Sequence, residues 1–155
     1  MRRIGPDDWQ IFREVRLAAL QEAPYAFGST YEAEVEASEE SWRHRLSERA
    51  RFVAEVDGQV VGTVGGGQGE FNGAAALTAL WVDPGFRSQG VGTKLLEAVL
   101  DWARSQGFSQ VLLWVTEVNE KAQRLYKRHG FARTGRIIEV RPWEPAIEYE
   151  MTKVL

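Results

Sequence analysis

The stretch AALTALWVDPGFRSQGVGTKLLEAVLDWARSQG, residues 75–107, constrains this chain more than any other. It opens on a largely apolar run that suits a strand buried on both faces. It closes on a helical pattern from about Ser88 to Gln106. There Val91, Leu95, Leu96, Val99, Leu100 and Trp102 or Ala103 fall on one side, and Gly107 ends the run. Between strand and helix stand Pro84, Gly85, Arg87, Gly90 and Gly92. Flexible residues collect where a helix must nucleate. Such a loop either only connects, or its bare backbone touches something.

The rest of the chain supplies further strands and helices in alternation. A short edge strand at residues 1–4 precedes a helix from Asp7 or Asp8 to about Glu22, and a second helix covers SEESWRHRLSE. Pro24, Gly28 and Ser29 make the segment between them a loop. RFVAEVDGQVVGTVGGG reads as a β-hairpin turned by Asp57-Gly58, with Gly65-Gly66-Gly67 ending its second strand. QVLLWVTEV is a buried strand, NEKAQRLYKRH a helix stopped by Gly130, and FARTGRIIEV and AIEYEMTKV two last strands. The order β-α-α-β-β-β-α-β-α-β-β implies a mixed α/β sheet with helices on its faces. The 155 residues fit one domain, without linkers or repeats.

Composition removes several functions. The chain has no cysteine and two histidines, which excludes thiolate chemistry and disfavours a metal site. Its net charge of −3 argues against a nucleic-acid coat. No apolar run has the length of a membrane span, and the N-terminus lacks the apolar core of a signal peptide, so the expected location is cytoplasmic.

The glycine loop has a physical reading of its own. The first amides of a helix lack intrahelical partners and carry partial positive charge. Gly90 and Gly92 clear side chains from that turn, and Arg87 and Lys94 add full charges. The product is a cradle for a phosphate or diphosphate. It is not a P-loop, because Val91 stands where the lysine belongs. It is not a dinucleotide fingerprint either, because Leu95 replaces the last glycine.

LWVDPGFRSQGVGTKLLEAV resembles the acetyl-coenzyme A signature of the GCN5-related N-acetyltransferases, the GNAT family. VLLWVTEVNEKAQRLYKRHGFARTG is similar to the second half of that signature, with Asn119, Ala122, Leu125-Tyr126 and Gly130-Phe131 at the family's spacing. The resemblance is strong over residues 50–155 and softer before them. It implies a three-layer fold, with a central mixed, mostly antiparallel, splayed sheet and helices on both faces. It implies acetyl-coenzyme A as co-substrate, its diphosphate on the amides of Arg87, Ser88, Gln89, Gly90, Val91, Gly92 and Thr93. The pantetheine arm would enter the gap beside Trp81 and Val82 like an extra strand.

Two residues downstream carry alternatives. Asn119 is a good N-cap, and the resemblance adds contact with pantetheine. Tyr126 reads as core with a reaching hydroxyl; the resemblance gives it the departing thiolate. A backbone amide near Val82 would hold the carbonyl oxygen. For the base, Glu117 at the strand end stands first, then Glu32 and Glu34. Tyr25, Phe27, Tyr31 and Glu32, with Trp143 in the last hairpin connection, are the acceptor-side candidates, and the acidic loop favours a cationic acceptor. Lys94, Arg124, Lys127 and Arg128 are candidates for the 3′-phosphate. His44 reads as surface and His129 as a helix cap. The function that follows is acetyl transfer to a primary amine of a small molecule or protein, without a metal, nucleic acid or membrane partner. The last hairpin offers a surface for a homodimer. The rival is a noncatalytic acyl-coenzyme A binding or sensing module on the same fold.

Overall fold

A computed structural model describes residues 1–24, 27, 29–139 and 147–155. Its strands are β1 (Arg2–Ile4), β2 (Ala50–Val56), β3 (Gln59–Gln68), β4 (Ala74–Val82), β5 (Gln110–Thr116), β6 (Ala132–Glu139) and β7 (Ile147–Val154). Its α-helices are α1 (Trp9–Glu22), α2 (Tyr31–Glu34), α3 (Glu39–Glu48), α4 (Val91–Ser105) and α5 (Glu120–Arg128). The strands form one sheet in the order β1-β2-β3-β4-β5-β7-β6, antiparallel except where β4 meets β5.

The period-2 alternation of strand side chains sorts the core into two layers. Phe52 and Ala54 of β2 face α4, whose Leu95, Leu96, Val99 and Leu100 are buried against β3, β4 and β5. Val53 faces the other way, into a core built by α1 and α3 around Phe12, Leu20, Trp42 and Leu46. Covering β2 on both faces explains why it shows no simple inside–outside pattern.

Local chemistry forms the elements largely as expected. Asp57 and Gly58 both have positive φ, 49° and 79°, as a type I′ turn requires. Ser38, Thr30 and Asn119 each accept a backbone N–H at the start of α3, α2 and α5. Gly107 at φ +83° and Gly130 at φ +89° lie past the ends of α4 and α5.

Four boundaries differ from the sequence reading. The expected loop before α3 contains the single-turn helix α2, which Thr30 caps through the amide of Ala33 at 3.1 Å. Helix α4 begins at Val91 rather than Ser88, because Ser88 and Gly90 hold left-handed φ values of 63° and 86°. Strand β5 stops at Thr116, where Asn119 turns the chain. Gly65, Gly66 and Gly67 run buried within β3, which ends one residue later at Gln68. A Cβ on Gly66 would sit 2.9 Å from the Trp102 ring, so glycine there admits α4 against the sheet.

Candidate active site

The site begins with a sheet that comes apart. Strands β4 and β5 pair only over Ala74–Gln110, Ala75–Val111 and Ala76–Leu112. Beyond those pairs they diverge, leaving Leu77–Val82 and Leu113–Thr116 on opposite banks of a gap. A bulge in β4 accompanies the parting: Thr63 faces Trp81 and Gly65 faces Thr78, so Ala79 and Leu80 oppose Val64 alone. Ala79 adopts φ +52°, a conformation that costs an alanine about 1 kcal/mol or more. The N–H of Asp83 donates to the carbonyl of Val61 at 2.8 Å. Alternation therefore turns the N–H and C=O of Val82 toward the gap.

Two cavities meet in that gap. One, of about 620 Å³, is lined by Trp81, Val82, Arg87, Ser88, Gly90, Gly92 and Thr93 on one bank and by α5 on the other. The second, of about 420 Å³, lies between β4, β5, β7 and the α1–α3 layer. Phe27, Leu80, Asn119 and Ala122 line both. They mark the junction.

The first cavity has a bare helix start as its floor. Helix α4 is the helix of eight residues or more whose opening turn follows a residue that has no side chain at all, Gly90. Its amides at Val91, Gly92 and Thr93 precede the first intrahelical bond, from Lys94 N–H to Gly90 C=O at 3.1 Å. A Cβ on Gly92 would stand 3.4 Å from Leu125 and 3.8 Å from Val82, an ordinary contact. Packing does not demand glycine there, but a side chain would take space from the cavity. A diphosphate fits this floor: it would accept from amides that no other group among the described residues satisfies. Lys121, Arg124 and Arg128 of α5 add positive charge to the opposite wall, whereas Lys94, Lys127, Gln89 and Val91 do not line it.

Arg87 is committed elsewhere in this structure. Its Nε donates to the Val82 carbonyl at 2.9 Å, and its guanidinium pairs with Glu22. Glu22 also accepts from the indole N–H of Trp81 at 3.1 Å, so one carboxylate ties α1 to the strand and the loop.

Tyr126 stands beside the junction. It is 6% exposed, lines the second cavity and packs on Phe131 with ring centroids 5.8 Å apart. Burial drives its phenol well above the ordinary tyrosine range, so it keeps its proton. Asn119 caps α5 through the amide of Ala122 at 3.2 Å and faces both cavities, so the cap leaves room for a ligand contact. The His129 ring nitrogen Nδ1 donates to the Leu125 carbonyl at 3.0 Å, a helix-end role.

The acceptor-side candidates scatter. Phe27 lines both cavities. Tyr31 packs into the α1–α3 core, Glu32 is exposed, and Tyr25 and Trp143 lie outside the described residues. Glu117 is exposed and lines neither cavity. Glu148, paired across from Thr116, does line the second cavity, and burial raises its pKa. Glu34 is consumed structurally: Arg16 donates to it at 3.0 and 2.9 Å and Arg45 at 3.1 Å. Desolvation pushes its pKa up, but the bonds from Arg16 and Ser29 and the charges of Arg16 and Arg45 outweigh that and leave it at about 2. The acidic loop therefore does not make the second cavity acidic; Arg16, Arg45, Arg49 and Arg51 line it instead. Glu148 and these arginines escaped sequence reasoning because they come from α1, α3, β2 and β7, with no shared motif.

The acetyltransferase (GNAT) family model matches residues 12–131. The chain belongs to the GNAT family. It is 38% identical over 101 residues to an N-acetyltransferase of Xenopus tropicalis called camello, a match covering 64% of this chain and 45% of that one. The chain thus spans less than half the length of that relative. The GNAT fold extends over its whole length: a ribosomal-protein-alanine N-acetyltransferase from Brucella melitensis superposes with a TM-score of 0.80 at 22% identity, covering 99% and 98% of the two chains. An acetyltransferase from Salmonella typhimurium, solved with its cofactor acetyl-CoA, superposes with a TM-score of 0.78 at 22% identity over 99% and 92%. No helix among the described residues is long and apolar enough to cross a membrane.

Proposed function

We propose that the protein is an acetyl-coenzyme A-dependent N-acetyltransferase that acts on a primary amine by direct attack in a ternary complex. The observation that carries this reading is the junction of the two cavities in the parted β4–β5 gap, with Tyr126 beside it. A thioester laid along the first cavity would reach the junction, and an amine in the second would meet it there.

The residues divide the work. The amides of Gly90, Gly92 and Thr93 would hold the diphosphate, and the backbone of Val82 the pantetheine arm. An amide of the bulged segment between Ala79 and Val82 would receive the carbonyl oxygen as it gains charge. The amine nitrogen bonds to the acetyl carbon as its bond to sulfur breaks. The phenol of Tyr126, which burial keeps protonated, would donate a hydrogen bond to the leaving thiolate, whose ordinary pKa of roughly 8.5 lets it depart without full proton transfer.

An amine arrives as ammonium and must lose a proton first. Glu148 replaces Glu117 as the proposed base, because it lines the acceptor cavity and burial raises its pKa. The decisive experiment mixes the protein, acetyl-coenzyme A and a panel of primary amines, and follows thiol release. Glu148→Gln should lower kcat/KM and abolish the acidic limb of its pH profile. Binding of acetyl-coenzyme A without transfer to any amine would leave only a binding module.

A further inference from the structure

Resting on the transferase reading, a narrower inference concerns the acceptor. We infer that it is an amine that also carries an oxyanion, a carboxylate first of all, held by Arg51 and Arg49 across the bare glycines of β3.

Arg51 is the anomaly from which this follows. It is 7% exposed, yet it forms no ion pair among the described residues. Its nearest hydrogen-bonding atom is the Thr63 hydroxyl at 3.5 Å, too long for a strong bond. Its other contact is the Phe12 ring, 4.7 Å from the guanidinium carbon. A buried cation is costly unless an opposite charge meets it. Here the neighbours worsen the cost: burial first, then the charges of Arg16, Arg45 and Arg49, lower the Arg51 pKa. Glu34, whose charge acts on Arg51, is already shared by Arg16 and Arg45. Arg49 likewise has no ion-pair partner among the described residues.

The sheet is shaped for these two side chains. Arg51 pairs with Gly65 across β2 and β3, and alternation puts Arg49 and Gly67 on the same face. A Cβ on Gly65 would lie 3.1 Å from two atoms of the Arg51 guanidinium and 2.7 Å from the Thr78 hydroxyl. A Cβ on Gly67 would lie 3.1 Å from the Arg49 stem. Glycine at both positions lets the arginines lie flat along the strand into the second cavity, whose lining both share. A planar guanidinium offers parallel N–H donors that match a carboxylate. The two carboxylates that line the same cavity do not answer them. Glu48 is largely exposed and pairs with His44 at 3.1 Å, and Glu148 sits across the cavity on β7 beside Thr116. An acceptor spanning the cavity would present its amine to Glu148 and its oxyanion to Arg51. A diamine would bring a second ammonium against the arginines and be rejected.

Calorimetry on the whole chain tests this without any turnover. The probes are the N-acetyl forms of the standard α-amino acids, each beside its carboxamide, with N-acetylated aminoalkylphosphonates as a third arm. At least one acid should bind about tenfold more tightly than its amide, and Arg51→Gln should bring the ratio to within twofold. Arg49→Gln, at an exposed rim position, should reduce the ratio in part. Preference for a phosphonate over its carboxylate supports the site, with phosphate as its oxyanion. Equal binding of every acid and amide overturns the inference, as does a folded Arg51→Gln protein that keeps the preference. Selective acid binding with no thiol released from acetyl-coenzyme A would sink the transferase reading and leave the anion site standing. Equal acetylation of acids and uncharged amides would do the reverse.

Discussion

The two cavities on either side of the β4–β5 gap are built from different materials. The wall of the first cavity is mostly main chain: the bare start of α4, the left-handed turn at Ser88 and Gly90, and the gap-facing edge of Val82. The wall of the second cavity is mostly side chain: four arginines, Glu148, Trp114 and Thr116. A wall of amides recognises what every donor molecule shares, a diphosphate and an amide-bearing arm. A wall of charged side chains recognises what differs among acceptors. A family can therefore hold the first constant while the second changes, since replacing a side chain leaves the backbone amides where they are.

Perturbing one wall should leave the other intact. The largest effect is expected at Glu34, where Glu34→Gln removes the carboxylate that Arg16 and Arg45 share. Stability should fall by about 3 kcal/mol, while acetyl-coenzyme A affinity stays within about threefold, as urea unfolding and calorimetry will read. The sign with pH follows from the depressed pKa. Glu34 contributes stability above its ordinary value of 4.5, and that share is lost as pH falls toward about 2. Wild-type unfolding free energy should therefore drop over this window by roughly 2–3 kcal/mol more than that of Glu34→Gln.

Tyr126→Phe tests the joint between the walls. It should reduce kcat about 100-fold in steady-state assays and leave acetyl-coenzyme A binding almost unchanged. An unchanged kcat would remove the thiolate from its role. Gly92→Ala sharpens the contrast by opposing stability to function. The methyl fits without strain, so the free protein should gain up to about 1 kcal/mol, yet acetyl-coenzyme A should bind about tenfold more weakly. The smallest change is expected for Asn119→Ala, which deletes the α5 cap. A loss of about 1 kcal/mol in thermal unfolding, with acetyl-coenzyme A affinity altered less than about threefold, would assign Asn119 mainly to capping.

Much of the fold was legible because its signals are local. The Asp57-Gly58 turn, the Asn119 and Ser38 caps, the α4 stripe and the glycine stops each depend on neighbours within a few residues. Where local signals misled, a distant partner decided. Gly65–Gly67 look like a strand end by propensity, but they meet Arg51, Trp102 and Arg49, which arrive from β2, α4 and the segment after α3. Glu117 looked well placed because it follows a buried strand, but the chain turns at Thr116 and leaves it in solvent.

The chain order alone thus determined the strand–loop–helix cradle, since the amides that define it lie within one turn of covalent chain. Only the tertiary structure decided which charges face the second cavity. The acidic segment near α2 spends Glu34 on Arg16 and Arg45, while Arg51 is left buried and unpaired among the described residues. Coulomb forces act through space, and the sign of a cavity depends on which charges have already found one another.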